Sequence, residues 1–238
     1  MLGAPLAPFR NASILAVAAH PDDIESWCAG TLAVAIDAGA TVRLLLVTSG
    51  DKGSRDPQAT PQAVAAMREA EATEAGRRLG LAEVAFLRYP DGEVEDTREL
   101  RSALVASIRR WRPEVVFTHD PVHPYPRYTS HRDHRIVGRA VLDAIYPLAR
   151  DGLSFPELRA TGLAPHAVGA VWLFASEQPN RWVDISAGFE RKLAARLAHV
   201  SQTSDPAALR HSWRQRATGI GAQAGLPLAE AFAVVELD

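Results

Sequence analysis

Two short stretches hold most of the groups that can do chemistry. One is His20-Pro21-Asp22-Asp23, at the end of an apolar run. The other is "SHRDHR" at 130–135. His131 and His134 stand three residues apart at the start of a predicted helix, a spacing that puts both imidazoles on one face. Asp133 lies between them and is placed to orient an imidazole through a hydrogen bond. Two histidines and one carboxylate form a common catalytic zinc set, with the fourth coordination position left to water. The first stretch supplies His20 and one aspartate, the second supplies His134, and the remaining aspartate is then available as a base. Sites of this type accept Fe2+ or Co2+ as well as Zn2+.

Positioning these groups falls to an alternating pattern. "SILAVAA" (13–19), "TVRLLLVTSG" (41–50), "EVAFLRY" (83–89) and "EVVFTH" (114–119) read as buried strands. Between them, 30–39, 63–81 and 97–112 read as helices, the first two closed by glycine and the third stopped before Pro113. Short connections between alternating strands and helices argue for βαβ units. The fold class is therefore α/β, a Rossmann-like three-layer sandwich with a mostly parallel sheet flanked by helices. Ligands bind such sheets beyond the carboxyl ends of the strands. His20, Asp22 and Asp23 follow the first strand, Ser49 to Asp51 the second, Asp91 the third and His119 the fourth. Polar groups thus collect on one sheet edge. Beyond 119 comes a loop rich in proline and histidine (120–135), then a helix at 134–149, an irregular stretch at 151–166, a strand at 167–176, a helix at 189–202 and a closing strand at 231–237. With no repeat and no linker composition, residues 1–238 read as one domain, with 150–230 shaping the substrate pocket.

The chain has 238 residues and a formal net charge of −2, with 47% hydrophobic residues. That is enough apolar material for a large core. The charge balance gives no reason to expect nucleic acid or an anionic membrane as partner. No apolar stretch reaches the roughly 18 residues of a membrane helix. One cysteine, Cys28, rules out an intrachain disulfide framework and fits a cytoplasmic location. The N-terminal stretch looks slightly like a leader. It lacks an early positive region and runs straight into His20, so it reads as part of the mature chain.

"AAHPDDIE" with "GTLA", and "SHRDHR" with "VG", resemble the two signature motifs of the LmbE-like/PIG-L family of zinc-dependent N-acetylglucosaminyl deacetylases. "TSGDKGS" (48–54), "YPDGEV" (89–94), "WVDIS" (182–186) and "HVSQ" (199–202) resemble further segments in the family's order. Many members read His-Pro-Asp-Asp-Glu, whereas here Ile24 precedes Glu25. The resemblance implies that His20, Asp23 and His134 hold Zn2+, that Asp22 is the general base for attack by a zinc-activated water, and that His131 stabilises the oxyanion as an imidazolium kept protonated by Asp133. It also implies that Arg68 and Asp91 hold sugar hydroxyls of an N-acetylated small-molecule substrate, and that the protein forms a homo-oligomer.

Other readings compete. A metal-dependent phosphoesterase would carry more carboxylates, for two metals, where this sequence shows one compact metal set. A non-catalytic metal-binding protein would have no need of a second aspartate beside the ligands. A dinucleotide-binding protein needs a Gly-x-Gly-x-x-Gly turn after the first strand, and a serine hydrolase needs a Gly-x-Ser-x-Gly elbow; neither is present.

Overall fold

Ser13–Ala18 (β1) is buried at every position but its first, because it lies between two strands and between two helical layers. A computed structural model describes residues 7–123 and 130–237. The N-terminal reading and the loop expected over 120–135 lie partly outside these residues. Thr41–Thr48 (β2), Glu83–Tyr89 (β3), Val115–His119 (β4), Ala170–Phe174 (β5), Arg181–Asp184 (β6) and Ala229–Glu236 (β7) complete a seven-stranded sheet in the order β3-β2-β1-β4-β5-β7-β6. The first five run parallel; β7 is antiparallel to both β5 and β6.

Alternation along β1 builds the two cores, since successive strand side chains face opposite ways. Ile14, Ala16 and Ala18 pack with Leu32, Leu79 and Leu193 on one face. Leu15 and Val17 pack with Leu104, Ile108, Val137 and Val141 on the other. The first face is covered by Asp23–Trp27 (α1), Ala29–Asp37 (α2) and Pro61–Leu79 (α3). The second is covered by Arg98–Trp111 (α4) and Arg132–Asp143 (α5). Pro156–Ala160 (α6), Phe189–Arg196 (α7) and Pro206–Ala222 (α8) follow.

Several boundaries follow from local chemistry. Thr60 caps α3 by accepting the Ala63 amide at 3.3 Å, with proline as first helical residue, and Gly80 closes it at φ 90. Thr97 caps α4 in the same way, accepting from Leu100 at 3.2 Å.

Some expectations need correction. The helix expected at 30–39 is α2, Ala29–Asp37, and the short α1 that precedes it across Cys28 was unforeseen. The helix at 134–149 begins at Arg132, and beyond Asp143 it continues as a π-helical segment, Ala144–Leu148. The helix at 189–202 ends at Arg196, followed by a 3-10 turn at Val200–Gln202. The irregular stretch contains α6, and both β6 and α8 were unforeseen.

Candidate metal centre

The connection from β1 into α1 is one tight turn, closed by the Asp23 amide donating to the His20 carbonyl at 3.3 Å. Asp22 sits in the left-handed region at φ 87, immediately before α1. This places Asp23 inside the protein, 1% exposed, where its carboxylate turns back to accept the His20 amide at 2.8 Å. His134 arrives from α5, which can lie this close to β4 because residue 138 is glycine. A Cβ there would meet the His119 carbonyl oxygen at 2.4 Å. His134 then stacks on His119, ring centroids 4.1 Å apart.

The three residues expected to hold the metal meet pairwise. His20 Nδ1 is 3.2 Å from His134 Nε2. His134 Nε2 is 3.2 Å from Asp23 Oδ1, and His20 Nδ1 is 3.4 Å from Asp23 Oδ2. Ligand atoms about 2.0–2.1 Å from a tetrahedral ion lie roughly 3.3 Å from one another, so each spacing is that of two ligands on one ion, with Asp23 meeting His134 through Oδ1 and His20 through Oδ2. The hydrogen bonding agrees. His20 Nε2 is 3.2 Å from Asp133 Oδ2 and 3.0 Å from Asp91 Oδ1. Burial opposes the charged form of His20, but hydrogen bonds to Asp133, Asp23 and Asp91 raise its pKa; with the proton held on Nε2 by the two carboxylates there, the Nδ1 lone pair would face His134 and Asp23. A shared cation would satisfy all three side chains at once.

Overlapping sets exist. Asp23, His119 and His134 come together, as do His20, Asp91 and Asp133, and His20, His131 and His134. His119 Nε2 accepts the Ala19 amide at 3.1 Å, so its lone pair is engaged and its proton is on Nδ1. Burial pushes its pKa down to about 3, which keeps it neutral. In the second set, His20 uses its hydrogen-bonded nitrogen, and Asp133 also accepts the Gly92 amide at 2.6 Å. These two sets read as supports for the meeting of His20, Asp23 and His134, and the remaining set shares His20 and His134 with it.

Asp133 was expected to serve His131. Its carboxylate instead holds His20 and the Gly92 turn. The contact with His131 runs through the backbone: His131 caps α5, its Nδ1 accepting the Asp133 amide at 3.2 Å. Burial, and then the nearby His20 and His134, lower the His131 pKa, while the Asp133 and Asp91 charges oppose this. Asp91, expected on a sugar, has one oxygen on His20 and its amide on Asp51 Oδ1 at 2.9 Å. Arg68, also expected on the substrate, donates to the Gly50 and Pro21 carbonyls at 3.1 and 2.7 Å and approaches Asp22 Oδ1 at 3.4 Å. The glycine at 50, at φ 64, is required there, since a Cβ would meet the guanidinium at 2.1 Å. The second oxygen of Asp22 faces Arg196 at 3.6 Å.

Charges at the centre divide accordingly. Burial raises the Asp22 pKa, Asp23 adds to this, and the two arginines oppose it. Burial works the same way on Asp23, but His134 beside it holds that carboxyl well below the usual range. His20, Asp22, Asp23, Arg68, Asp91, His131 and His134 line one cavity of about 180 Å³, with Gln202 at its side. Gln202 also lines an outer groove of about 620 Å³ between Lys52–Arg55 and Val200–Ser204.

Arg196 escaped the sequence reading, and His119 was placed on the sheet edge but given no role. His119 had a signal, as the last residue of a strand whose end lies beside that of β1. Arg196 had none, since it reads as one more helix charge.

A parallel α/β sheet with a His/Asp triangle at its carboxyl edge defines the architecture of a metal-site protein. The comparisons with known proteins narrow the class. The family description "PIG-L: GlcNAc-PI de-N-acetylase" matches residues 15–145, which is 131 of the 238 residues, and the chain belongs to this family. It is 34% identical to a diacetylchitobiose deacetylase of Thermococcus kodakarensis over 82% of this chain and 72% of that one. It is 30% identical to a 1D-myo-inositol 2-acetamido-2-deoxy-alpha-D-glucopyranoside deacetylase of Mycobacteroides abscessus, over 79% and 81%. In structure it resembles N,N'-diacetylchitobiose deacetylase from Pyrococcus horikoshii, with a TM-score of 0.89 and 30% identity across 97% of this chain and 87% of that one.

Proposed function

We propose that this protein is a metal-dependent N-deacetylase that removes an acetyl group from an amino sugar or its conjugate, with His20, Asp23 and His134 holding Zn2+. The observation that carries the reading is the mutual approach of the His20, Asp23 and His134 side chains at 3.2–3.4 Å, with Asp22 beside them in the same cavity. A divalent ion there supplies positive charge that polarises an amide carbonyl and makes water acidic enough to lose a proton near neutral pH.

The chain's own residues do the rest. Asp22 takes the proton at its carboxylate, its raised pKa suiting it to that task. His131, with Nδ1 accepting the Asp133 amide, carries its proton on Nε2 and donates from there to the oxyanion as a neutral imidazole. Asp133 and Asp91 fix the His20 tautomer. Arg68 holds the Pro21–Asp22 turn and borders the sugar. The cavity of about 180 Å³ suits the acetamido end, and the groove beyond Gln202 takes the remainder of the substrate. That groove supports the view that 150–230 shapes the pocket of a single domain. The lone, buried Cys28 supports a cytoplasmic enzyme, and among the described residues no helix is long and apolar enough to cross a membrane.

The test is metal content together with amine release from N-acetylglucosamine and diacetylchitobiose. Chelation is expected to abolish release and one equivalent of Zn2+ to restore it, with Fe2+ and Co2+ as comparison arms. A protein that binds none of these ions and cannot be reconstituted overturns the reading.

A further inference from the structure

Arg196 ends α7 and is 8% exposed, outside the 15–145 stretch that the family description matches. A buried guanidinium is costly unless its charge and its donors are met, and here the two terminal Nη groups are met in a specific way while Nε has no partner among the described residues. Nη1 donates to the Thr203 hydroxyl at 2.6 Å, and Nη2 donates to the Gln202 carbonyl at 3.0 Å. Nη2 also faces Asp22 Oδ2 at 3.6 Å. Trp213 from α8 lies under the guanidinium, 5.8 Å from ring centroid to Cζ. Asp22 itself makes no side-chain cap to α1. Its two oxygens face two guanidinia, Arg68 on one side and Arg196 on the other. The direction of the carboxylate is therefore set from both sides.

The partners of Arg196 also wall the outer groove. Gln202 donates from Nε2 to the Gly53 carbonyl at 2.8 Å, which clips the groove's two walls together. Ser201 binds Glu71 of α3 through both its amide and its hydroxyl, at 2.7 Å each. A ligand that fills the groove presses on Val200–Ser204, and that turn shares one guanidinium with Asp22. A planar fork reaches all of these acceptors at once, which a lysine ammonium cannot do.

We propose that Arg196 is a positioning residue that ties the Asp22 carboxylate to the wall of the outer groove, so that filling the groove and aligning the base are one event. The inference rests on the reading of Asp22 as the base.

The experiment compares wild type with Arg196→Gln, Arg196→Lys, Arg196→Ala, Thr203→Val and Asp22→Asn. Metal stoichiometry, thermal midpoint, kcat and KM are measured with N-acetylglucosamine, which fills the inner cavity, and with diacetylchitobiose, which extends into the groove. Arg196→Gln is expected to keep its metal and lose about 10–100-fold in kcat, the range found when an outer-shell partner is removed. Any kcat advantage of the longer substrate disappears with it. Arg196→Lys does not restore the rate, whereas guanidinium ion added to Arg196→Ala restores part of it, which a purely structural role would not permit. Thr203→Val keeps the charge, folds, and shows a smaller loss in kcat; it remains decisive if Arg196→Gln does not fold. Wild-type turnover in a folded, metal-loaded Arg196→Gln or in Thr203→Val overturns the proposal, as does a loss fully explained by lost metal. If Asp22→Asn turns over normally, the base assignment fails. If Asp22→Asn is inactive and Arg196→Gln is not, only the role of Arg196 fails.

Discussion

Two buried polar clusters adjoin the α1–α2 segment, and they are built on opposite plans. At the start of α2, Glu230 of β7 accepts the Gly30 amide at 3.1 Å, the Thr31 amide at 2.8 Å and the Lys192 ammonium. Lys192 and Glu230 are each 3% exposed, and each answers the other's charge. A carboxylate at a helix N-terminus that also meets a cation is satisfied. At the start of α1, by contrast, His20, Asp23 and His134 bring ring nitrogens and carboxylate oxygens within 3.2–3.4 Å of one another. One cluster is closed on itself, whereas the other gathers ligating atoms of the kind that a cation would bridge. Burial alone therefore does not mark a functional site; the kind of atoms brought together does.

The comparison can be broken at either end. The largest effect is expected at the open cluster. Asp22→Asn keeps a side chain that tolerates left-handed backbone and should retain metal while turnover falls about 10²–10⁴-fold, the usual worth of a general base. Amine release per bound metal measures it. At the closed cluster, Glu230→Ala strands the Lys192 charge and should cost about 3–5 kcal/mol of stability, read by denaturant unfolding, with kcat per folded molecule unchanged. The double replacement Lys192→Met with Glu230→Leu should recover most of that loss. If Glu230→Ala instead removes metal or lowers kcat, the two clusters are not separate. A smaller change is expected from Asp133→Asn, which weakens the hold on His20: about 10–100-fold in metal affinity by competition titration, with the thermal midpoint of the metal-free protein near wild type.

The smallest effect belongs to neither cluster. The exposed Glu74 carboxyl is held down to about 2 by hydrogen bonds from Arg77 and then Arg78. Its folded pKa lies below its unfolded value, so its contribution is present above about 4.5 and is lost as pH falls towards 2. Side-chain NMR titration should find Glu74 charged at pH 3.5, and Glu74→Gln should flatten stability slightly in that window alone.

Strand ends and motif residues were legible because each depends on local pattern. The β1 run breaks at His20, and a parallel sheet sends such breaks to one edge, so the joining of His20, Asp23 and His134 could be expected across 114 residues. What was not legible depends on which of several near neighbours a side chain chooses. Asp133 stands beside His131 in sequence, but helix geometry turns its carboxylate to His20 and leaves its amide for the cap. His119 needed the β1–β4 pairing before its nearness to Asp23 at 3.3 Å had any meaning. The missed elements have weak patterns for definite reasons. β6 is a four-residue edge strand with one fully buried side chain. α8 buries only Ala217 and Gly221, so it shows no apolar stripe. Asp205, which caps it through the Ala207 and Ala208 amides at 3.0 and 2.9 Å, was the available cue.

The backbone at Asp22, with φ of 87, sets durability against activity. A side chain held in that conformation carries a conformational penalty of about 1–3 kcal/mol, and glycine is free of it. Selection for heat resistance alone would be expected to recover Asp22→Gly, a hardier protein with an idle site; a thermal midpoint no higher than wild type would show that the strain is relieved elsewhere.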